Sequence, residues 1–126
     1  MKDMRTPLSR VRGMGAGHGG TEHFWQQRLT AIANLVLITI YLFVVVSLAT
    51  GEYGSVREAF ANPIVGVGAA LVIISACVHM RLGMQTIIED YIHGPLKWVL
   101  AIGNIFFACL IAGVGLYAII KMSFGG

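Results

Sequence analysis

His79 closes a clean apolar run from Ile64 to Val78, a setting in which an ionisable side chain is costly and needs a partner. On a helix turning ~100° per residue, Ser75, Gly83, Thr86 and Asp90 stand at offsets −4, +4, +7 and +11 from His79, within about 40° of it on one face. Arg81 and Gln85 point elsewhere. One stripe therefore carries a small hydroxyl, an imidazole, a glycine gap, a second hydroxyl and a carboxylate. A neutral imidazole nitrogen is a good iron ligand. A haem is flat and wide, and placing one beside a helix requires small residues next to the ligand, which Ser75 and Gly83 supply. His18 and His23 belong to the N-terminal region and His93 to a helix end, so a second axial ligand has to come from another chain. Hydrogen bonding across a helix interface and proton relay are open to the same imidazole. Gly83 suits tight helix packing as well as it suits a porphyrin.

The elements that position this stripe are membrane spans. The chain has 126 residues, 56% hydrophobic and 12% charged, against about 25% charged in a soluble domain. The charges are also segregated. Lys2, Asp3, Arg5, Arg10, Arg12, Glu22 and Arg28 precede the first long apolar run, and three charge-poor blocks follow. The first block predicts a span over about 29–49, entered at Arg28 and broken by Gly51 and Gly54, with a short polar loop after it. Asn62-Pro63 opens a second, a good N-cap followed by a proline suited to the first helical position. His93-Gly94-Pro95 ends it. A helix over 63–92 is ~45 Å long, so its last turns project from the bilayer. The third span is expected over 96–120, with Trp98 and Tyr117 in the interfacial belts and a small-residue stripe of Ala108, Ala112 and Gly115 for a neighbouring helix. Residues 1–20, with five glycines between Gly13 and Gly20, read as a flexible cytoplasmic tail. Thr21 is placed to cap the first helix, and Phe24, Trp25 and Leu29 to lie on the interface. The expected fold is an all-α membrane protein, with residues 21–126 forming a three-helix anchor domain.

Composition narrows the function classes. The net charge is +3, but the cationic tail abuts a span, and the aromatic–basic interleaving of a nucleic-acid surface is missing. Orientation and anionic lipid account for the charge. Cys77 and Cys109 each lie in an apolar block and form no metal motif, whereas an iron–sulfur cluster takes about four cysteines. Lys and Arg number seven on the tail side, counting Arg81 and Lys97, against Arg57 and Lys121 on the other. This puts the N-terminus in the cytoplasm and the C-terminus in the periplasm or its equivalent. The first apolar stretch begins near Thr30, too deep for a signal peptide, and the Arg/Ser-rich, acid-poor pattern of a transit segment is missing, which favours a bacterial inner membrane.

The segment HMRLGMQTIIEDY, residues 79–91, resembles the second-helix motif of the small hydrophobic membrane-anchor (D) subunit of succinate dehydrogenase, alpha-proteobacterial type. The match is His, Gly four later, Met next, and Asp-Tyr at eleven and twelve. FWQQRLTAIAN, residues 24–34, resembles that family's entry into the first helix. The resemblance implies a haem-binding helix bundle completed by a sister cytochrome b anchor subunit, with iron–sulfur and flavoprotein subunits as further partners. It implies His79 as the axial ligand of haem b, Tyr91 as a hydrogen bond to a carbonyl oxygen of ubiquinone, Asp90 as the carboxylate beside it, and Arg28 as a contact to a haem propionate. Other roles are open to these residues: an interfacial belt for Tyr91, a pairing with Lys97 or Arg81 for Asp90, a positive-inside anchor for Arg28. Arg81 and Gln85 depart from the apolar or aromatic residues an anchor often carries there. Fumarate reductase anchors share the layout. A small proton-coupled transporter or channel subunit, relaying protons through His79 and Asp90, is the rival from another class.

Overall fold

The computed structural model describes residues 6–8, 11 and 20–125. Beyond the helical Pro7, Leu8 and Val11, most of the expected tail lies outside the described residues. Four helices follow: α1 (Gly20–Leu48), α2 (Tyr53–Ala61), α3 (Pro63–Tyr91) and α4 (Pro95–Phe124). Among the described residues, α1, α3 and α4 are long and apolar enough to cross a bilayer, with mean hydropathies of 2.5, 2.1 and 2.3 in their most apolar windows.

Local chemistry sets the boundaries. Asn62 caps α3 by accepting a 3.0 Å bond from the Ile64 amide through Oδ1, and Pro63 takes the first helical position. Gly94, at φ 75°, makes the reversal between α3 and α4 that a side chain would strain. Gly125 ends α4 in the left-handed region, so this helix outruns the expected 96–120 by four residues and keeps Lys121 in its last turn. Thr21 is not a cap, because Gly20 before it is already helical. The polar loop after the first span is largely helix α2. Gly54 is tolerated in its first turn, and Val56, Ala59 and Phe60, at helical spacing, form its half-buried face.

α3 is the centre of the bundle, packing along both α1 and α4, while α2 lies against α3 and α4. On α1 the half-buried residues are His23, Gln27, Thr30, Asn34, Leu37, Tyr41, Val44 and Leu48, with Ala33 beside them. The alternation of fours and threes is the seam of a left-handed helix pair. Four of its first five members are polar, as suits a bilayer, where association relies on close packing and interhelical hydrogen bonds. Tyr41 seats its ring against Gly68, where a methyl group would collide with it, and donates its hydroxyl to the Val65 carbonyl.

The expected small stripe of α4 faces α3. Ala108 is 5% exposed, and a Cβ on Gly115 would stand 3.1 Å from the Ile73 side chain. Asn104, 8% exposed, donates from Nδ2 to the Arg81 carbonyl at 2.8 Å. Ala108→Leu is expected to overpack this seam and destabilise the bundle by ~1–3 kcal/mol. The thermal midpoint of the purified complex should fall, whereas Leu110→Ala on the exposed face should leave it nearly unchanged.

Candidate functional site

The polar seam between α1 and α3 surrounds His79. Its Nδ1 lies 3.1 Å from Thr30 Oγ1. The Thr30 hydroxyl is already engaged with its own helix, 2.8 Å from the Gln26 carbonyl and 3.1 Å from that of Gln27. One turn away, Ser75 Oγ donates to the Thr30 carbonyl at 3.5 Å, a long and weak contact. On the other side, a Cβ on Gly83 would meet only the Gln27 amide nitrogen, at 3.3 Å. Ser75, His79 and Gly83 thus share a face, as their spacing predicts, and that face is turned towards α1. The room left by Ser75 and Gly83 is taken in part by Thr30 and Gln27.

The interhelical bond foreseen as one role for His79 is therefore present, but it occupies one ring nitrogen. Among the described residues no hydrogen bond reaches Nε2. Further along the seam, His23 Nε2 and Gln27 Oε1 are buried without a hydrogen-bond partner, and so is Asn34 Oδ1 one turn to the other side of Thr30. Buried polar atoms are costly to leave unpaired, so this seam has hydrogen-bonding capacity that the described residues do not use. Among the described residues no three His, Cys, Asp or Glu side chains gather as a metal cage. A single imidazole with one nitrogen held and the other unbonded is a donor set for axial ligation, and in that sense the residues fit a haem.

The other expected site residues stand apart from His79. Asp90 and Tyr91 close α3, ~17–18 Å along the axis from His79, and both are exposed, Tyr91 by 77%. Tyr91 therefore depends on another chain to enclose anything it binds. An apolar groove of about 390 Å³ between α3 and α4 runs from Met80 to Ile92, but neither Asp90 nor Tyr91 lines it. Asp90 shows no pairing with Lys97 or Arg81 among the described residues. Lys97 Nζ instead donates to the Glu89 carbonyl at 3.4 Å, and Glu89 accepts from Gln85 at 2.8 Å. Arg28 lies over the Phe24 ring, 4.7 Å from its centroid, while Phe24 meets Trp25 edge-on at 5.9 Å. Two residues before Thr30, Arg28 is ~160° around α1 from it, so this chain does not bring Arg28 to the His79 face.

Sequence reasoning missed the contribution of α1. Gln27, Thr30 and Asn34 were readable as polar residues stepping by threes and fours through FWQQRLTAIAN, with His23 just before it. It also left Arg81 without a place. Arg81 borders a small cavity with Glu22, His23, Gln26 and Gln85, and its Nε is buried without a partner.

Comparison with known proteins agrees with this architecture. Residues 2–119 match the family described as "Succinate dehydrogenase/Fumarate reductase transmembrane subunit". The chain is 28% identical over 120 residues to the "Succinate dehydrogenase hydrophobic membrane anchor subunit" of Paracoccus denitrificans, an alignment covering 95% of this chain and 93% of the relative. It is 30% identical over 91 residues to the protein of the same name from Rickettsia bellii, covering 71% and 72%. It is 33% identical over 87 residues to the "Succinate dehydrogenase membrane anchor subunit" of Reclinomonas americana, covering 66% and 72%. With three bilayer-length helices, a polar seam inside them and this family match, the chain belongs to the succinate dehydrogenase membrane-anchor subunits, within the succinate dehydrogenase/fumarate reductase transmembrane family.

Proposed function

We propose that this chain holds one side of a haem b through His79 and completes, with its partner subunits, the site at which ubiquinone is reduced. The observation that carries the reading is the division of labour on the imidazole: Nδ1 is tied to Thr30 and Nε2 has no hydrogen bond among the described residues. A haem b bound here supplies a one-electron carrier inside the bilayer. His79 would hold its iron from one face, and a sister cytochrome b anchor would supply the opposite ligand. Arg28, at the charged end of α1, is assigned to a propionate only if a partner draws it away from Phe24.

Tyr91 and Asp90 are assigned to the quinone. Reducing a quinone to a quinol takes two electrons and two protons. The Tyr91 hydroxyl would donate a hydrogen bond to a carbonyl oxygen, and the Asp90 carboxyl would orient a partner cation and pass protons from the aqueous side. In this reading, succinate is oxidised on a flavoprotein subunit and electrons arrive through an iron–sulfur subunit docked at the α3–α4 connection, beside Tyr91. That connection and the start of α1 then face the cytoplasm of a bacterial inner membrane, with the end of α4 in the periplasm. Phe124→Cys should accordingly react with an impermeant thiol reagent applied to the periplasmic side; reaction only after the membrane is opened would reverse the orientation. The reading as a whole is tested by a reduced-minus-oxidised visible spectrum of the purified complex. A b-type band is expected, and its absence ends the haem assignment.

A further inference from the structure

The proton inventory of Thr30 settles more about His79 than its position does. A threonine hydroxyl has one proton and two lone pairs. The nearest acceptor for the Thr30 proton is on the α1 backbone, the Gln26 carbonyl at 2.8 Å, with the Gln27 carbonyl at 3.1 Å, the usual back-bond of a helical threonine. No proton is then left for the 3.1 Å contact to His79 Nδ1. With the hydroxyl proton on that nearer acceptor, the proton in the contact belongs to the imidazole, and Nδ1–H donates to Oγ1. A neutral imidazole with its proton on Nδ1 has its lone pair on Nε2.

From this geometry we infer that Thr30 is a positioning residue for the haem ligand: it fixes the His79 tautomer and ring orientation so that Nε2 presents its lone pair to iron. The inference rests on the proposed ligation by His79 and adds to it the residue on α1 that prepares the ligand. The logic is that of metal-bound histidines generally, whose second nitrogen donates to an oxygen that orients the ring and strengthens the ligand. Here the acceptor is a hydroxyl whose own direction is set by the helix backbone. The ring therefore cannot turn about its Cβ–Cγ bond without losing the bond to α1. Oγ1 also pulls on the Nδ1 proton, which raises the electron density available at Nε2. A stronger donor favours the more highly charged oxidised iron, so Thr30 lowers the midpoint potential of the haem.

The test uses the assembled complex with all its subunits. Thr30→Val keeps the shape and removes the hydroxyl, Thr30→Ser keeps the hydroxyl and removes the methyl, and His79→Ala is the control. Haem content is read as pyridine haemochrome and the midpoint potential by spectroscopic redox titration. Thr30→Val is expected to retain a b-type spectrum with a raised potential and a haem lost on purification about ten-fold more readily, and Thr30→Ser to match wild type in both. If Thr30→Val prevents assembly, Thr30→Ala removes the hydroxyl without its volume and is expected to show the same shifts. Equal potential and haem retention in wild type and in the hydroxyl-free variant would overturn the inference, as would a Thr30→Ser shift as large as that of Thr30→Val, which would make bulk rather than the hydroxyl the cause. A haem that persists unchanged in His79→Ala would instead overturn the ligation beneath it, whatever the Thr30 variants show.

Discussion

His79→Ala should abolish the b-type absorbance of the purified complex while leaving the subunits associated. The two halves of this expectation come from very different energies. The bond between His79 and Thr30 is one interhelical hydrogen bond in a bilayer, worth about 0.6 kcal/mol on average. Its loss is cushioned because Thr30 keeps its backbone acceptors and because α3 is gripped along its whole length by α1 and α4. Removing the imidazole would, in the proposed role, delete a bond to iron for which no substitute is near, since among the described residues the other histidines are His23, near the start of α1, and His93, beyond the end of α3. The spectrum should therefore be lost with little change in the amount of complex recovered. If complex and haem disappear together, the variant has broken the fold, and the Thr30 variants, which spare the imidazole, become the discriminating set. An unaltered spectrum would return His79 to the simpler role of joining α1 to α3.

The spans were plain in the sequence because bilayer length, charge exclusion and helix punctuation are local properties. Asn62-Pro63 and Gly94-Pro95 do in the structure what their chemistry dictates. α2 escaped because glycines at 51 and 54 look like breakers, and a nine-residue helix relies on packing against α3 and α4 rather than on propensity. The α3 stripe was legible because one helix carries it, and 3.6-residue periodicity needs no knowledge of the partner. What lies opposite the stripe was not legible. The pairing of Thr30 with His79 joins residues 49 positions apart and depends on the register of two antiparallel helices. Beyond His23, the seam of α1 mixes Gln, Thr and Asn with Leu and Tyr, so a search for ionisable groups passes over the residues opposite His79. The same limit explains Arg28. Its place near the charged end of a span was evident, but the choice between facing the seam and stacking on Phe24 is made by ~160° of helix rotation between Arg28 and Thr30, together with a ring one turn earlier.

The polar seam and the two residues assigned to the quinone also differ in how far this chain encloses them. The seam is half-enclosed by this chain, with orphaned atoms at His23, Gln27 and Asn34 on one side of α3. Asp90 and Tyr91 are both exposed at its end.

Tyr91→Phe should lower succinate-driven quinone reduction by about 100-fold while succinate oxidation with a soluble dye continues at the wild-type rate. The magnitude is that of losing one hydrogen-bond donor aimed at an oxygen on which negative charge develops, or one positioned proton donor. The selectivity follows from position. Tyr91 is the last residue of α3, beside the connection where electrons from a docked iron–sulfur subunit would arrive, and ~18 Å from His79. A dye that takes electrons upstream never meets it. The substitution removes one oxygen from a side chain that is 77% exposed in this chain, so it should cost the fold little. Asp90→Asn, which keeps the shape and removes the carboxylate, is expected to reduce turnover less and to leave quinone binding closer to normal, because in the proposed role the carboxyl would act on protons rather than on the carbonyl. Unchanged quinone turnover in Tyr91→Phe would identify Tyr91 as a belt residue of the interface and move the quinone to a surface contributed by other subunits, with the haem assignment at His79 untouched.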